Sequence, residues 1–103
     1  MPAKLKPVHP GEILREEFVE PLGLNPNNLA LALRVPAPGV YDIVHERRGI
    51  SPVMALRLAR YFGATPAFWL NLQSRYDLEV AQDEEQSKID REVQPLKSQT
   101  ANR

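Results

Sequence analysis

Proline divides this chain into short helices before any other feature is weighed. Its ring fixes φ near the helical value and removes an N–H, so it suits the first turn of a helix and breaks one further in. Ten prolines stand in 103 residues, and four directly follow a side chain able to cap a helix: His9-Pro10, Asn25-Pro26, Ser51-Pro52 and Thr65-Pro66. Asn, Ser and Thr at such a position accept from the free N–H groups of the first turn. Each pair therefore marks a helix start.

Apolar residues recur at helical spacing behind these starts. Ile13, Leu14, Phe18 and Val19 form the first stripe, which Pro21 ends. Leu29, Ala30, Ala32 and Leu33 form a short second, interrupted at Arg34-Val35-Pro36, and Val40, Ile43 and Val44 a short third. Met54, Ala55, Leu58, Ala59 and Phe62 make the fourth, with Arg57 and Arg60 opposite and Gly63 placed as its stop. Phe68, Trp69, Leu72 and Tyr76 make the fifth. No segment long enough to count alternates as a strand does. The expected architecture is all-α: a compact five-helix domain over residues 9–81, an N-terminal arm over 1–8, and a polar, partly helical or disordered tail over 82–103. In that tail Ile89, Val93 and Leu96 are the spaced apolar residues, and one further exposed helix that frays is expected.

The second and third helices are short and joined by about three residues, which is the helix-turn-helix arrangement. In that motif one helix crosses the DNA backbone and the next enters the major groove, where base edges differ. Leu29, Ala30, Val40 and Ile43 have the small or aliphatic character that fixes the angle between them. The outward face of the second would carry Ala37, Pro38, Gly39, Tyr41, Asp42 and His45. Asn27 and Asn28 fall in the first turn of the crossing helix, where amides and backbone N–H groups suit a phosphate. Arg47 and Arg48 follow the motif and either clamp the next phosphate or lie in a solvated loop.

Charge points the same way once it is divided along the chain. The whole is neutral, with 13 basic and 13 acidic residues. Residues 34–60 hold Arg34, Arg47, Arg48, Arg57 and Arg60 against Asp42 and Glu46, a local +3 suited to phosphates. Other chemistries find little support. Cysteine is absent, which removes disulfides and thiolate metal sites and fits a reducing cytosol. His45-Glu46 begins like a zinc-protease motif, but the second histidine is missing. Ser51 is a helix cap with no histidine–carboxylate pair beside it. No cofactor loop, metal set or catalytic pair is present, so no enzyme and no cofactor are expected. The start has no apolar signal region and no stretch is long enough to span a bilayer, so cytoplasmic, nucleoid-associated placement is expected.

Five stretches in unbroken order carry a resemblance: His9-Pro10-Gly11-Glu12, Glu20-Pro21-Leu22-Gly23-Leu24, Arg47-Arg48-Gly49-Ile50-Ser51, Ala55-Leu56-Arg57-Leu58-Ala59 and Phe68-Trp69-Leu70-Asn71-Leu72-Gln73. Over about residues 8–81 the chain resembles the HigA, or VapI, family of antitoxins within the lambda-repressor-like Xre group. The resemblance implies a homodimer that reads a palindromic operator, represses its own operon and neutralises a RelE-like (HigB) toxin, a ribosome-dependent messenger-RNA endonuclease. This chain departs from the family where bases would be read. Ala37, Pro38 and Gly39 replace a polar start of the recognition helix, Tyr41 stands for a family-typical Asn or similar residue, and His45-Glu46 for an Asn-Gly turn. A second reading follows from that departure: a protein-binding module that sequesters a toxin while DNA recognition is weak or lost.

Two further surfaces invite partners. Phe68, Trp69, Leu72 and Tyr76 form an aromatic stripe, either core or in part the contact with a twin in a dimer. Glu12, Glu16, Glu17 and Glu20 form an acidic face on the first helix, either solvated or a dock for a basic toxin.

Overall fold

A computed structural model describes residues 5–97; residues 1–4 of the expected arm and 98–103 of the expected tail lie outside it. Each proline-marked start is a helix start. The first helix, α1, opens at Pro10–Ile13 and continues through a π-helical stretch, Leu14–Val19. It is followed by α2 (Pro26–Leu33), α3 (Ala37–Val44), α4 (Pro52–Phe62) and α5 (Pro66–Glu92). The caps close as the sequence predicts. His9 Nδ1 accepts from Gly11 N–H at 2.8 Å, Asn25 Oδ1 from Asn28 N–H at 2.8 Å, Ser51 Oγ from Met54 N–H at 3.2 Å and Thr65 Oγ1 from Phe68 N–H at 3.1 Å. Gly63 ends α4 at φ 90°, a value open to glycine at no steric cost.

The core is one cluster drawn from every helix. Leu14, Leu29, Leu33, Val40, Ile43, Leu58 and Trp69 are buried in it, with Ala30 and Ala55 where helices approach closely. α2 packs on α3, and α4 on α5. The π-helical stretch serves this core. Its hydrogen bonds run five residues back, as from Glu20 N–H to Arg15 O at 2.9 Å, so Leu14 and Val19, five apart, both turn inward. Phe18, Phe62 and Phe68 then ring Trp69, with centroids 4.9, 6.4 and 5.0 Å from it.

One expectation changes. The polar chain from Gln82 does not begin another helix. It continues α5 without a break to Glu92, giving a 27-residue helix about 40 Å long. Nothing interrupts it, since no proline or glycine falls between Pro66 and Pro95. Pairs four residues apart support its exposed side: Gln73 Nε2 donates to Asp77 Oδ1 at 2.9 Å and Gln86 Nε2 to Asp90 Oδ1 at 2.8 Å. The molecule is accordingly elongated, 55 × 30 × 22 Å.

Candidate nucleic-acid interface

The α2–α3 pair is set by three elements acting on α3. From within, Val40, Ile43 and Val44 bury one side of it. From α1, Gly11 presses on its end so closely that a Cβ there would stand 1.8 Å from the Ile43 carbonyl oxygen. Also from α1, Arg15 donates through Nη1 to the Val44 carbonyl and through Nη2 to Glu46 at 3.2 Å. The cation at a helix C-terminus satisfies a free carbonyl and complements the dipole. Among the described residues, two other than glycine take the left-handed region, Arg34 at φ 61° and Glu46 at φ 63°, and they bracket α3. Glu46 thus adopts the backbone that an Asn-Gly turn would favour, at a steric cost.

The residues expected at DNA have different freedoms, and Ala37 packs against the core. Asn27, Asn28, Pro38, Tyr41, His45, Arg47 and Arg48 are exposed, while Ala37, Gly39 and Asp42 are half-buried. Pro36 caps α3 with ψ 141° and no side-chain bond, and the helix forms with Pro38 inside its first turn. The backbone N–H of Asn28 is already taken by Asn25, which leaves its amide side chain for other contacts. Tyr41 and His45 stack nearly parallel, with centroids 5.0 Å apart and planes at 6°, and His45 Nδ1–H donates to the Tyr41 carbonyl at 2.8 Å. They form one flat aromatic ledge on the outer side of α3.

Asp42 sits among the cations. Its Oδ1 lies 3.3 Å from Arg47 Nη2 and its Oδ2 3.8 Å from Arg48 Nη2. Arg48 also reaches over Gly39, where a Cβ would meet its Nη1 at 3.2 Å. One carboxylate therefore tethers both arginines to α3, and the cluster carries one net positive charge. Among the described residues, no group of His, Asp or Glu could hold a metal ion, and no helix is long and apolar enough to cross a membrane.

The aromatic stripe on α5 divides. Trp69 is 0% exposed and belongs to the core, because Phe18 and the helices around it close over the indole; this corrects its expected place at a dimer contact. Leu72 and Tyr76 are half-buried, Tyr76 standing edge-on to His9 at 4.8 Å, and Phe68 is 38% exposed.

Three residues that hold the site in place escape sequence reasoning. Arg15 reaches Val44 across 29 positions, Gln73 of α5 accepts from Ile50 N–H at 2.7 Å across 23, and Arg57 of α4 donates to the Leu33 carbonyl at 2.9 Å across 24. Gln73 thereby pins the loop carrying Arg47 and Arg48 to α5. Nothing local distinguishes these side chains from their solvated neighbours.

This geometry defines a helix-turn-helix domain of the lambda-repressor-like class. The chain is similar to virulence-associated protein I of Dichelobacter nodosus, 51% identical over 80 residues covering 78% of this chain and 74% of that one. It is similar to antitoxin HigA-1 of Vibrio cholerae, 41% identical over 75 residues, 73% of this chain and 70% of that one. Among solved structures it is similar to the Pseudomonas aeruginosa antitoxin HigA with the higBA promoter: TM-score 0.87, 52% identity, covering 88% of this chain and 99% of that one. No protein-family model matches the chain. The protein belongs to the HigA family of antitoxins, a non-enzymatic class of helix-turn-helix regulators.

Proposed function

We propose that this chain is the antitoxin of a HigBA-like module: a homodimer that binds a palindromic operator, represses its own operon and neutralises a RelE-like (HigB) messenger-RNA endonuclease in the bacterial cytoplasm. The observation that carries the DNA half is the exposure of Pro38, Tyr41 and His45 along α3, together with that of Asn27 and Asn28 in the helix before it and of Arg47 and Arg48 just after it. With α3 in the major groove, Asn27, Asn28 and the two arginines stand at phosphates, which sets register. Tyr41, Asp42 and His45 face base edges; Asp42 can accept from a cytosine amino group. Ala37 and Pro38 offer apolar contact to thymine methyls, and Gly39 leaves room beside them. The P. aeruginosa relative was solved with its promoter, which supports the same ligand here. Residues 9–81 would carry this work. The toxin half rests on family membership, and the acidic face of Glu12, Glu16, Glu17 and Glu20 is the dock of matching charge for a basic toxin.

A second reading has its own observation. Asp42 holds both arginines, and Ala37, Pro38 and Gly39 bring no side-chain hydrogen bond to the groove. On that reading the chain sequesters its toxin and touches DNA weakly. Titration against the protein's own upstream DNA and a scrambled duplex, at two salt concentrations, separates the two. Operator binding at least about a thousandfold tighter than to the scramble is the expected result. Equal, weak and salt-sensitive binding to both would overturn it in favour of sequestration.

A further inference from the structure

The two arginines that follow α3 are held from different helices. Arg47 belongs to α3: its N–H donates to the Asp42 carbonyl at 2.8 Å, and its guanidinium lies 3.3 Å from the Asp42 carboxylate. Arg48 has a looser tie to α3, at 3.8 Å from the same carboxylate. Two residues on, Ile50 is 4% exposed, and its N–H donates to Gln73 Oε1 of α5 at 2.7 Å. Gly49 lies between, with the Gln73 amide against it. A Cβ at Gly49 would stand 2.8, 2.9 and 2.9 Å from the Oε1, Cδ and Nε2 of that amide. Asp77, one turn further along α5, decides which way the amide faces. A carboxylate accepts and does not donate. Nε2 therefore turns to Asp77 Oδ1 at 2.9 Å, and Oε1 is left for Ile50.

We propose that Gln73, oriented by Asp77, is the positioning residue for Arg48, so that α3 sets one arginine of the phosphate clamp and α5 sets the other. The inference rests on the DNA-binding reading. A guanidinium on a loop meets a phosphate at little cost only where its backbone is already ordered, because ordering it on binding takes free energy from the complex. For Arg47, α3 supplies that order. For Arg48 it comes through Gly49 and Ile50, and the Gln73 amide touches both. The link can be broken from either side. Gln73→Leu fills the space but leaves Ile50 N–H without its acceptor. Gly49→Ala puts a Cβ where the amide lies and displaces that flexible side chain. The link can also be reversed. Gln73→Glu with Asp77→Asn keeps an acceptor for Ile50, keeps a donor and an acceptor between the two positions, and keeps the charge of the pair.

Titration of the full-length protein against its own upstream duplex and a scrambled duplex, over a series of salt concentrations, tests it. Helix content of each form is checked by circular dichroism. Gln73→Leu and Gly49→Ala should each weaken binding to both duplexes by about tenfold at low salt, and flatten the salt slope by about 0.9 per half-site, one phosphate's worth. Gln73→Glu with Asp77→Asn should return affinity to within about twofold of wild type and restore the slope. Added to Arg48→Ala, Gln73→Leu should cost nothing further; added to Arg47→Ala, it should cost as much as in wild type. A role in stability alone would lower the urea midpoint and leave the slope untouched. An unchanged slope in both Gln73→Leu and Gly49→Ala would therefore overturn the proposal, and so would a full loss in the Arg48→Ala background. A wild type that binds neither duplex would overturn the DNA-binding reading itself.

Discussion

His9 is buried against Tyr76, and the charged groups around it are Glu46, Asp77 and Arg15. Burial lowers its pKa from the ordinary value near 6.5, Arg15 adds to that, and Glu46 and Asp77 act against it. The cap requires the same neutral form, because Nδ1 must be unprotonated to accept from Gly11 N–H. A group whose folded pKa is depressed in this way leaves the unfolded chain binding more protons. Its contribution is fully present above about pH 6.5 and is lost as pH falls from there through the folded pKa. Thermal stability, followed by the emission of the single, buried Trp69, should therefore drop as pH falls below about 6.5. His9→Asn keeps an acceptor at the cap and should flatten that part of the profile. Parallel profiles for the two proteins would show that His9 does not titrate between the states.

At the same scale, Asp42 decides how free the two arginines are. Asp42→Asn removes a charge that repels phosphate and releases Arg47 and Arg48. DNA affinity at low salt should rise by about 1 kcal/mol, or roughly fivefold, for operator and scrambled duplex alike. A loss confined to the operator would instead make Asp42 a reader of cytosine.

Among the elements, the local ones were legible and the relational ones were not. Asn25, Ser51 and Thr65 announce their helices because a cap and its N–H lie three positions apart. The short α2 and α3 follow from Arg34-Val35-Pro36, which no continuous helix tolerates. The π-helical stretch of α1 was not legible, since it answers to the packing of Leu14, Phe18 and Val19 and not to composition. Nor was the side of the aromatic stripe that turns inward, which Phe18 and Phe62 decide from elsewhere in the chain. The DNA face itself was readable as a set of residues, but its internal bonds from Asp42 and its anchors Arg15 and Gln73 were not. Gly11 shows how sharply such relations bind. Alanine in an ordinary helix gains about 0.5–1 kcal/mol over glycine. Here its Cβ would meet backbone, the Ile43 carbonyl oxygen. Gly11→Ala should reverse the usual sign and cost about 1–3 kcal/mol in urea unfolding. It should also weaken operator binding, because α1 can relieve the clash by pushing on the end of α3.

For the whole molecule, neutrality conceals a division of labour. The positive charge gathers in residues 34–60, while five acidic residues against two basic ones stand in residues 83–92. A DNA duplex therefore attracts one part of the molecule and repels the far end of α5, which orients approach before any base is touched. Salt dependence measures how much of that attraction reaches phosphates. Each phosphate neutralised contributes about 0.9 to the slope of log affinity against log salt. If Arg47 and Arg48 each meet one phosphate, Arg47→Ala with Arg48→Ala should flatten the slope by about 1.8 per half-site, and by about 3.6 for a dimer on two. The scrambled duplex should lose as much as the operator, since phosphate contacts carry no sequence information. An unchanged slope would mean that Asp42 keeps both guanidinium groups for itself, and that α3 meets DNA without a clamp behind it.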